Sequence, residues 1–198
     1  MKLSMKLTSN EIEEKIITAA IECIERLGLQ AATNRRIAEQ AGVNSAAINY
    51  YFRSKDVLIS RCMDVTLENA FGRDSFIELV SKTAIERCKE LFGNLVIGGC
   101  NYPGLTRSHY YELISFGNYN SRIVEKTNQF IEDLVVDLNT HGATLPVDEL
   151  RLACMQITSA IMLMILTPRL FEKNFALNLC EEDSRKLFID RLVDRLLV

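Results

Sequence analysis

The side chains best suited to a chemical task lie in one short basic stretch. Asn44, Ser45, Asn49 and Tyr50 offer hydrogen-bonding groups on the side of a helix opposite Ile48 and Phe52, with no acidic residue among them, and Arg35 and Lys55 flank them. A surface that lacks carboxylates and is bordered by cations can approach a polyanion. From Arg26 to Arg61 the chain carries Arg26, Arg35, Arg36, Arg53, Lys55 and Arg61 against Glu39 and Asp56, a net +4; all 198 residues sum to −3, so the remainder carries −7. A small basic module on an acidic body suits a segment that meets DNA phosphates attached to a segment that must not.

Other reactive residue types form no recognisable centre. His109 and His141 lie in no H-E-x-x-H or His/Cys/Asp cluster, and the chain has no G-x-G-x-x-G, phosphate loop or G-x-S-x-G elbow, so the expectation is a protein that is not an enzyme and holds no metal or cofactor. Cys23, Cys62, Cys88, Cys100, Cys154 and Cys180 are widely spaced without a C-x-x-C pair, which excludes a zinc knuckle or thioredoxin-like motif. Several sit in apolar helical runs, where a free cysteine acts as a small buried hydrophobe. Only Cys100, in the glycine-rich GGCNYPG read as a turn, looks placed for reactivity or ligand contact.

The elements that must position the basic stretch are helical. Low glycine and proline, 9 and 3 residues, leave little room for a many-turned β fold, and 48% hydrophobic against 25% charged residues fits a globular chain. Residues 11–27 place Ile12, Ile16, Ala19, Ala20, Cys23, Ile24 and Leu27 on one stripe, with Ser9 or Asn10 available as cap and Gly28 as terminator. Thr33 caps a short helix over 34–41 that Gly42 ends; a third helix runs from Asn44 or Ser45 to Phe52; Ser54 caps a fourth. Lys55 stands in the first turn of that fourth helix, where the helix dipole favours an acid, a placement that suits a phosphate partner. Two short helices across a glycine-containing turn, the second acid-free on its outer face, make a helix-turn-helix pattern.

At this point the residues carry a specific resemblance. TNRRIAEQAGVNSAAINYYFRSKDVLI, Thr33 to Ile59, together with the helix before it, resembles the DNA-binding domain of the TetR family of bacterial transcriptional regulators over roughly 50 continuous residues. The resemblance implies an all-α chain: a three-helix helix-turn-helix domain over 1–60, a connecting helix over 54–71, and a helical bundle over 61–198 for effector binding and dimerisation. It also implies a transcriptional regulator, most often a repressor, that binds a palindromic double-stranded DNA operator as a homodimer and is released by a small-molecule effector. Carried onto this chain, the implied DNA-facing positions are Asn44, Ser45, Ala46, Ala47, Asn49, Tyr50 and Tyr51 on the third helix and Thr33, Asn34 and Arg35 at the start of the second, with Lys55 on a phosphate. The chemistry of these residues agrees. Arg35 could fork onto a guanine, Asn49 could pair with an adenine, and the alanine methyls could meet thymine, while packing between helices is the rival role for Tyr50 and Tyr51. The run Asn49-Tyr50-Tyr51 departs from the family's commoner tyrosine-aromatic-histidine, and the small Ala46 and Ala47 leave part of any specificity to DNA shape.

Beyond residue 71 the pattern predicts helices over 74–97, 105–115, 119–140, 147–167 and 182–197, with no strand. The run Ile157 to Leu166 is apolar nearly all round and far short of the ~20 residues of a membrane span, so no transmembrane helix is expected. MKLSMKLTSNEIEEK has no apolar stretch or cleavage site of a secretory signal, and a cytoplasmic protein is expected. Ile157, Ile161 and Met164 with Phe188, Leu192 and Leu196 are the expected dimer interface, a four-helix bundle between subunits, and a simple intrachain core is the rival reading. Cys88, Phe92, His109, Tyr110, Phe116, Asn128 and Gln156 are the candidate effector contacts, polar or aromatic groups on otherwise apolar helices for which ordinary core or surface placement is the alternative. A thiol- or metal-responsive sensor on the same scaffold, using Cys88, Cys100 or Cys154, is the second functional reading.

Overall fold

Capping chemistry sets the helix boundaries in the computed structural model, which describes residues 8–72, 77 and 79–198. Helix α1 spans Ser9–Leu27. Its cap is Thr8 rather than Ser9 or Asn10, because Glu11 falls three residues on: the Thr8 hydroxyl accepts the Glu11 N–H at 3.3 Å and the Glu11 carboxylate accepts the Thr8 N–H at 2.6 Å. The backbone and side-chain hydrogen bonds from Thr8 hold the Glu11 carboxyl below its ordinary range. Helices α2 (Asn34–Ala41), α3 (Ser45–Phe52) and α4 (Lys55–Phe71) follow, and the chain divides into two compact units between Thr66 and Leu67, inside α4. The division lies six residues beyond the expected boundary at residue 60.

The first unit is built on Ile16, Ala19, Ala20, Cys23 and Ile24 of α1, Ile37, Ala38 and Ala41 of α2, Ile48 and Phe52 of α3, and Leu58 and Cys62 of α4, all buried. The Gln40 side chain joins α2 to α1 by donating to the Glu22 carboxylate at 2.6 Å and accepting from Arg26 at 3.3 Å.

The second unit contains α5 (Ala84–Asn101), α6 (Pro103–Phe116), α7 (Arg122–Thr140), α8 (Val147–Leu166), the single turn α9 (Glu172–Phe175) and α10 (Glu182–Leu197). The described residues are all-helical, with no strand. The expected helix at 74–97 starts among positions outside the described residues, but it is not continuous: residues 79–82 are turn and bend, and the helix begins anew at Ala84, where Thr83 and Glu86 repeat the reciprocal cap of α1. GGCNYPG is not a turn. Helix α5 continues through Gly98, Gly99 and Cys100, and only Tyr102 separates it from α6. The reason is close packing: a Cβ on Gly99 would lie 2.2 Å from Ile165 Cγ2, so the glycine lets the end of α5 sit against α8.

Helix α8 packs on α5, α6, α7 and α10. Its side facing the others carries Leu150, Ala153, Cys154, Ile157, Ile161 and Met164, which join Phe92, Val96, Phe130, Leu134, Leu138, Ile189 and Val193 in one core. Ile157, Ile161 and Met164 therefore face the protomer's own interior, not a second subunit, because a helix that serves as the hub of a bundle commits one whole face to it. The opposite face carries Leu152, Met155, Gln156, Ser159 and Leu163, all exposed. Phe188, Leu192 and Leu196 of α10 are half-buried along the border of the core. By length and composition alone α8 could cross a membrane, which the count of its uninterrupted apolar run did not anticipate, yet it places Leu150, Ile157 and Ile161 in the core and carries Asp148, Glu149 and Arg151 in its first turns. Buried Arg87 of α5 spans the bundle to Asp137 of α7 with two hydrogen bonds of 2.9 and 2.7 Å and donates a third to the Lys82 carbonyl, so the charge has a full set of partners. A disulfide joins Cys100, in the last turn of α5, to Cys180, just ahead of α10.

Candidate nucleic-acid interface

The interface is assembled by three caps in succession. The Thr33 hydroxyl accepts the Arg36 N–H at 3.4 Å and starts α2; Gly42, with φ 62°, stops it in the left-handed conformation, which lets the Val43 N–H return to the Ala38 carbonyl at 3.0 Å. Two residues later the Asn44 side-chain oxygen accepts the Ala46 N–H at 2.9 Å and starts α3. The turn between the helices is thus three residues long, Gly42 to Asn44, and its conformation is prescribed by a glycine and an asparagine whose chemistry is local.

Helix α3 has two sides. Ile48 and Phe52, four apart, are buried and fasten it to the first unit. Asn44, Ser45, Ala46, Asn49 and Tyr50 are exposed, Tyr50 to 80%, and Ala47 and Tyr51 are half-buried. The Tyr50 and Tyr51 rings meet edge to face at 5.0 Å, so the more buried ring props the more exposed one. From α2, Thr33 and Arg35 are exposed, while half-buried Asn34 has a side-chain oxygen that accepts no hydrogen bond from the described residues. Lys55 opens α4, half-buried, beside the Ser54 hydroxyl that accepts the Val57 N–H at 3.2 Å.

The electrostatics follow from what these cations do not touch. Arg36 donates to the Ala31 carbonyl at 2.9 Å and Arg26 to Gln40, but among the described residues Arg35, Arg53 and Lys55 have no ion-pair partner. Uncompensated positive charge at the edge of an acid-free helix face is a surface prepared for phosphates.

One residue of this surface escaped the sequence pattern. Arg53, exposed, caps the C-terminal end of α3 with φ 63° and ψ −39°, and its N–H donates to the Asn49 carbonyl at 3.0 Å. A non-glycine residue held there stores strain, which is a mark of functional positions. The only trace in the sequence is a missing glycine: YFRSK ends a helix without the residue that usually ends one.

Residues 16–62 match the family model described as bacterial regulatory proteins, tetR family. Over these residues the chain is similar to the TetR family. Regulators of that family bind DNA and act as dimers. Along the whole chain the fold is that of a TetR-like transcriptional regulator from Rhodococcus sp. RHA1, with a TM-score of 0.70 at 14% identity over 96% of this chain and 97% of the other. The HTH-type transcriptional dual regulator CecR of Shigella flexneri is 41% identical over 59 residues, 30% of this chain and 26% of CecR. The nucleoid occlusion factor SlmA of Aliivibrio fischeri (strain ATCC 700601 / ES114) is 26% identical over 153 residues, 73% of this chain and 77% of SlmA.

In the second unit, the residues expected to contact an effector do not converge. Cys88 and Phe92 are packed in the core, Phe116 is 72% exposed, and Asn128 and Gln156 are on the surface. His109 and Tyr110 are the two that stay inside α6. Burial lowers the His109 imidazole to about 4 and raises the Tyr110 phenol, whose hydroxyl donates to Met162 Sδ at 2.7 Å and is hydrogen-bonded to Thr127. On α8, four residues before Met162, the buried Thr158 hydroxyl has no hydrogen-bond partner among the described residues. Thr127 and Thr158 were not singled out in the sequence, since a threonine on an apolar helix gives no sign of where it points.

Proposed function

We propose that this chain is a homodimeric repressor that binds a palindromic operator through α2, α3 and the start of α4, and that a small molecule in the second unit releases it. The observation that carries the reading is the acid-free exposed face of α3 bordered by Arg35, Arg53 and Lys55, three cations without ion-pair partners among the described residues. In this reading Asn49 and Tyr50 read bases, Ser45, Ala46 and Ala47 approach the groove closely, and Arg53 and Lys55 hold phosphates. Thr33, Asn34 and Arg35 meet the backbone or groove edge. Asn44 contributes only its side-chain NH2, because its oxygen is occupied in capping α3.

The dimer is supported by the outward face of α8. Leu152, Met155 and Leu163 are 51, 49 and 50% exposed along one stripe, and Leu187 of α10 is exposed near half-buried Phe188, Leu192 and Leu196. Paired with its copy, this surface buries leucine and methionine that water otherwise contacts, and two recognition helices about 34 Å apart can then read two half-sites. Tyr110, Thr127, Thr158 and Met162 supply the effector region: a hydroxyl with no partner and a polarisable sulfur inside an apolar bundle. An effector that binds there more tightly in the DNA-free form lowers operator affinity, and operator DNA lowers effector affinity by the same factor. A regulator of chromosomal DNA works in the cytoplasm.

The test is binding of the purified chain to its own upstream intergenic DNA across a salt series. Specific binding that falls steeply with salt, at two half-sites one turn apart, supports the repressor; equal affinity for every fragment sinks it. A second reading is favoured by the match to nucleoid occlusion factors over 73% of the chain, namely a role in nucleoid occlusion. Chromosome-wide occupancy separates the two, since a local repressor occupies a few promoters.

A further inference from the structure

We propose that Cys100 and Cys180 form an oxidant-responsive thiol pair, in which a hydroperoxide converts two thiols to the disulfide and thereby fastens the start of α10 to the end of α5. The regulatory part of this proposal rests on the reading above, because a chain that works on chromosomal DNA sits in a reducing compartment. Disulfides there are transient and sense redox state more often than they stabilise.

The six cysteines divide sharply by place. Cys23, Cys62, Cys88 and Cys154 are fully buried and free. Desolvation pushes the Cys62 thiol up to about 12, Cys154 up to about 11, and Cys88 well above its ordinary value, so these remain protonated as well as inaccessible. Cys180 is exposed and Cys100 half-buried, and their Cα atoms are 5.5 Å apart, a separation that a disulfide spans without backbone movement. Both lie where chain geometry changes: Cys100 one residue from the end of α5, Cys180 in the loop before α10. That loop is held by the Cys180 N–H donating to Asn178 at 3.0 Å and by Arg185, which donates to the Leu179 and Cys180 carbonyls at 3.3 Å each.

The chemistry balances with a hydroperoxide as the only oxidant. The exposed Cys180 thiolate attacks the peroxide; an S–O bond forms, the O–O bond breaks and an alcohol or water departs with the proton, leaving a sulfenic acid. The Cys100 sulfur then attacks Cys180; the S–S bond forms, the S–O bond breaks and water leaves. Two thiols lose two electrons to one peroxide, and a dithiol reductant restores them by exchange.

The consequence follows from what the bond connects. Gly99, beside Cys100, sits against Ile165 at the end of α8, so the disulfide gathers the ends of α5 and α8 and the start of α10 at one place. Helices α8 and α10 carry the exposed apolar faces assigned to the dimer. Reduction releases the segment 167–181 at its Cys180 end and loosens α10, weakening the dimer and its hold on DNA.

The experiment uses the full chain, reduced with dithiothreitol or then treated with stoichiometric hydrogen peroxide, beside Cys100→Ser and Cys180→Ser. We expect a Cys100–Cys180 linked peptide only in the peroxide-treated wild type, and a sulfenic acid trapped on Cys180 in Cys100→Ser. We further expect operator affinity about fivefold or more weaker in the reduced wild type, within the usual span of allosteric coupling, with both variants fixed at the reduced value. Both thiols remaining alkylatable after peroxide, or equal affinity of the two forms, overturns the proposal. If neither form binds DNA, the repressor reading fails instead, and amide exchange across 167–181 decides the thiol pair. Protection lost on reduction supports it and identical exchange overturns it.

Discussion

Asn49 and Lys55 illustrate how two residues of one surface can be told apart by what they touch. Asn49 presents both halves of an amide from the middle of α3, whereas Lys55 is a point charge at the start of α4. We expect Asn49→Ala to cost roughly 1–3 kcal/mol at the operator and relax preference at one base pair. Lys55→Ala should weaken binding evenly across sequences and reduce the slope of log affinity against log salt by about 1. Fluorescence anisotropy with cognate and scrambled DNA measures both. Arg53 should show opposite signs in two assays: Arg53→Gly relieves a φ of 63° and raises the unfolding free energy by about 1 kcal/mol, while it removes a phosphate contact and weakens DNA binding. His109 carries a pH signature. Its folded value of about 4 lies below the ordinary 6.5, so between these values the unfolded chain binds a proton that the folded chain does not, and stability falls as pH drops through that window. Melting temperature measured from pH 7 to 5 should decline in the wild type, and His109→Phe should flatten that decline, because the carboxylates titrate lower. At this scale the sequence was legible for the outer side of α3, where Asn44, Ser45, Ala46, Asn49 and Tyr50 are exposed because Ile48 and Phe52 are buried on the other. It was poorly legible for the proposed effector region, since a polar group on an apolar helix can equally point outward, as Asn128 and Gln156 do.

The elements themselves were foreseen wherever a cap or a period announces them. Gly28 and Gly42 end α1 and α2 as expected, and α6, α7, α8 and α10 fall within a few residues of their periodic stretches, whereas α5 starts ten residues later than expected, at the Thr83 cap. GGCNYPG shows the limit of reading glycine as a breaker. Gly99 is helical because contact with α8 outweighs its weak helix propensity, which costs only about 1 kcal/mol, and Gly98 lies in the same helix. This makes Gly99 a sensitive position. Gly99→Ala gains helix propensity yet drives a Cβ to 2.2 Å from Ile165, and we expect a net loss of roughly 1–3 kcal/mol by chemical denaturation. Adding Ile165→Ala should recover part of the loss over that of Ile165→Ala alone, since the methyl that clashes is then gone.

At the scale of the whole molecule, α8 carries two obligations on opposite faces. Inward it contributes Ile157, Ile161 and Met164 to the core; outward it leaves Leu152, Met155 and Leu163 exposed. If the outward face is the dimer seam, Leu163→Glu places a charge where its own copy lies close. Dimer affinity should then fall by on the order of 30-fold, or about 2 kcal/mol, with little change in helix content. Sedimentation velocity reads the association and anisotropy the operator binding, and the two should be lost together, because a single head reads only one half-site. A variant that stays dimeric would move the seam to another surface.

By itself, the sequence determined whatever depends on neighbours a few residues apart: the caps at Thr33 and Asn44, the left-handed stop at Gly42, the buried spacing of Ile48 and Phe52, and hence an acid-free helix face beside Arg35 and Lys55. These are short-range interactions, and their pattern is written in the order of the residues. Tertiary structure decided what depends on residues far apart in the chain. An apolar run without a period does not say which side of α8 meets the core; that was settled by the helices packed around it. Nor do six scattered cysteines say which two can meet, since Cys100 and Cys180, 80 residues apart, become neighbours only when α5 and α10 pack side by side.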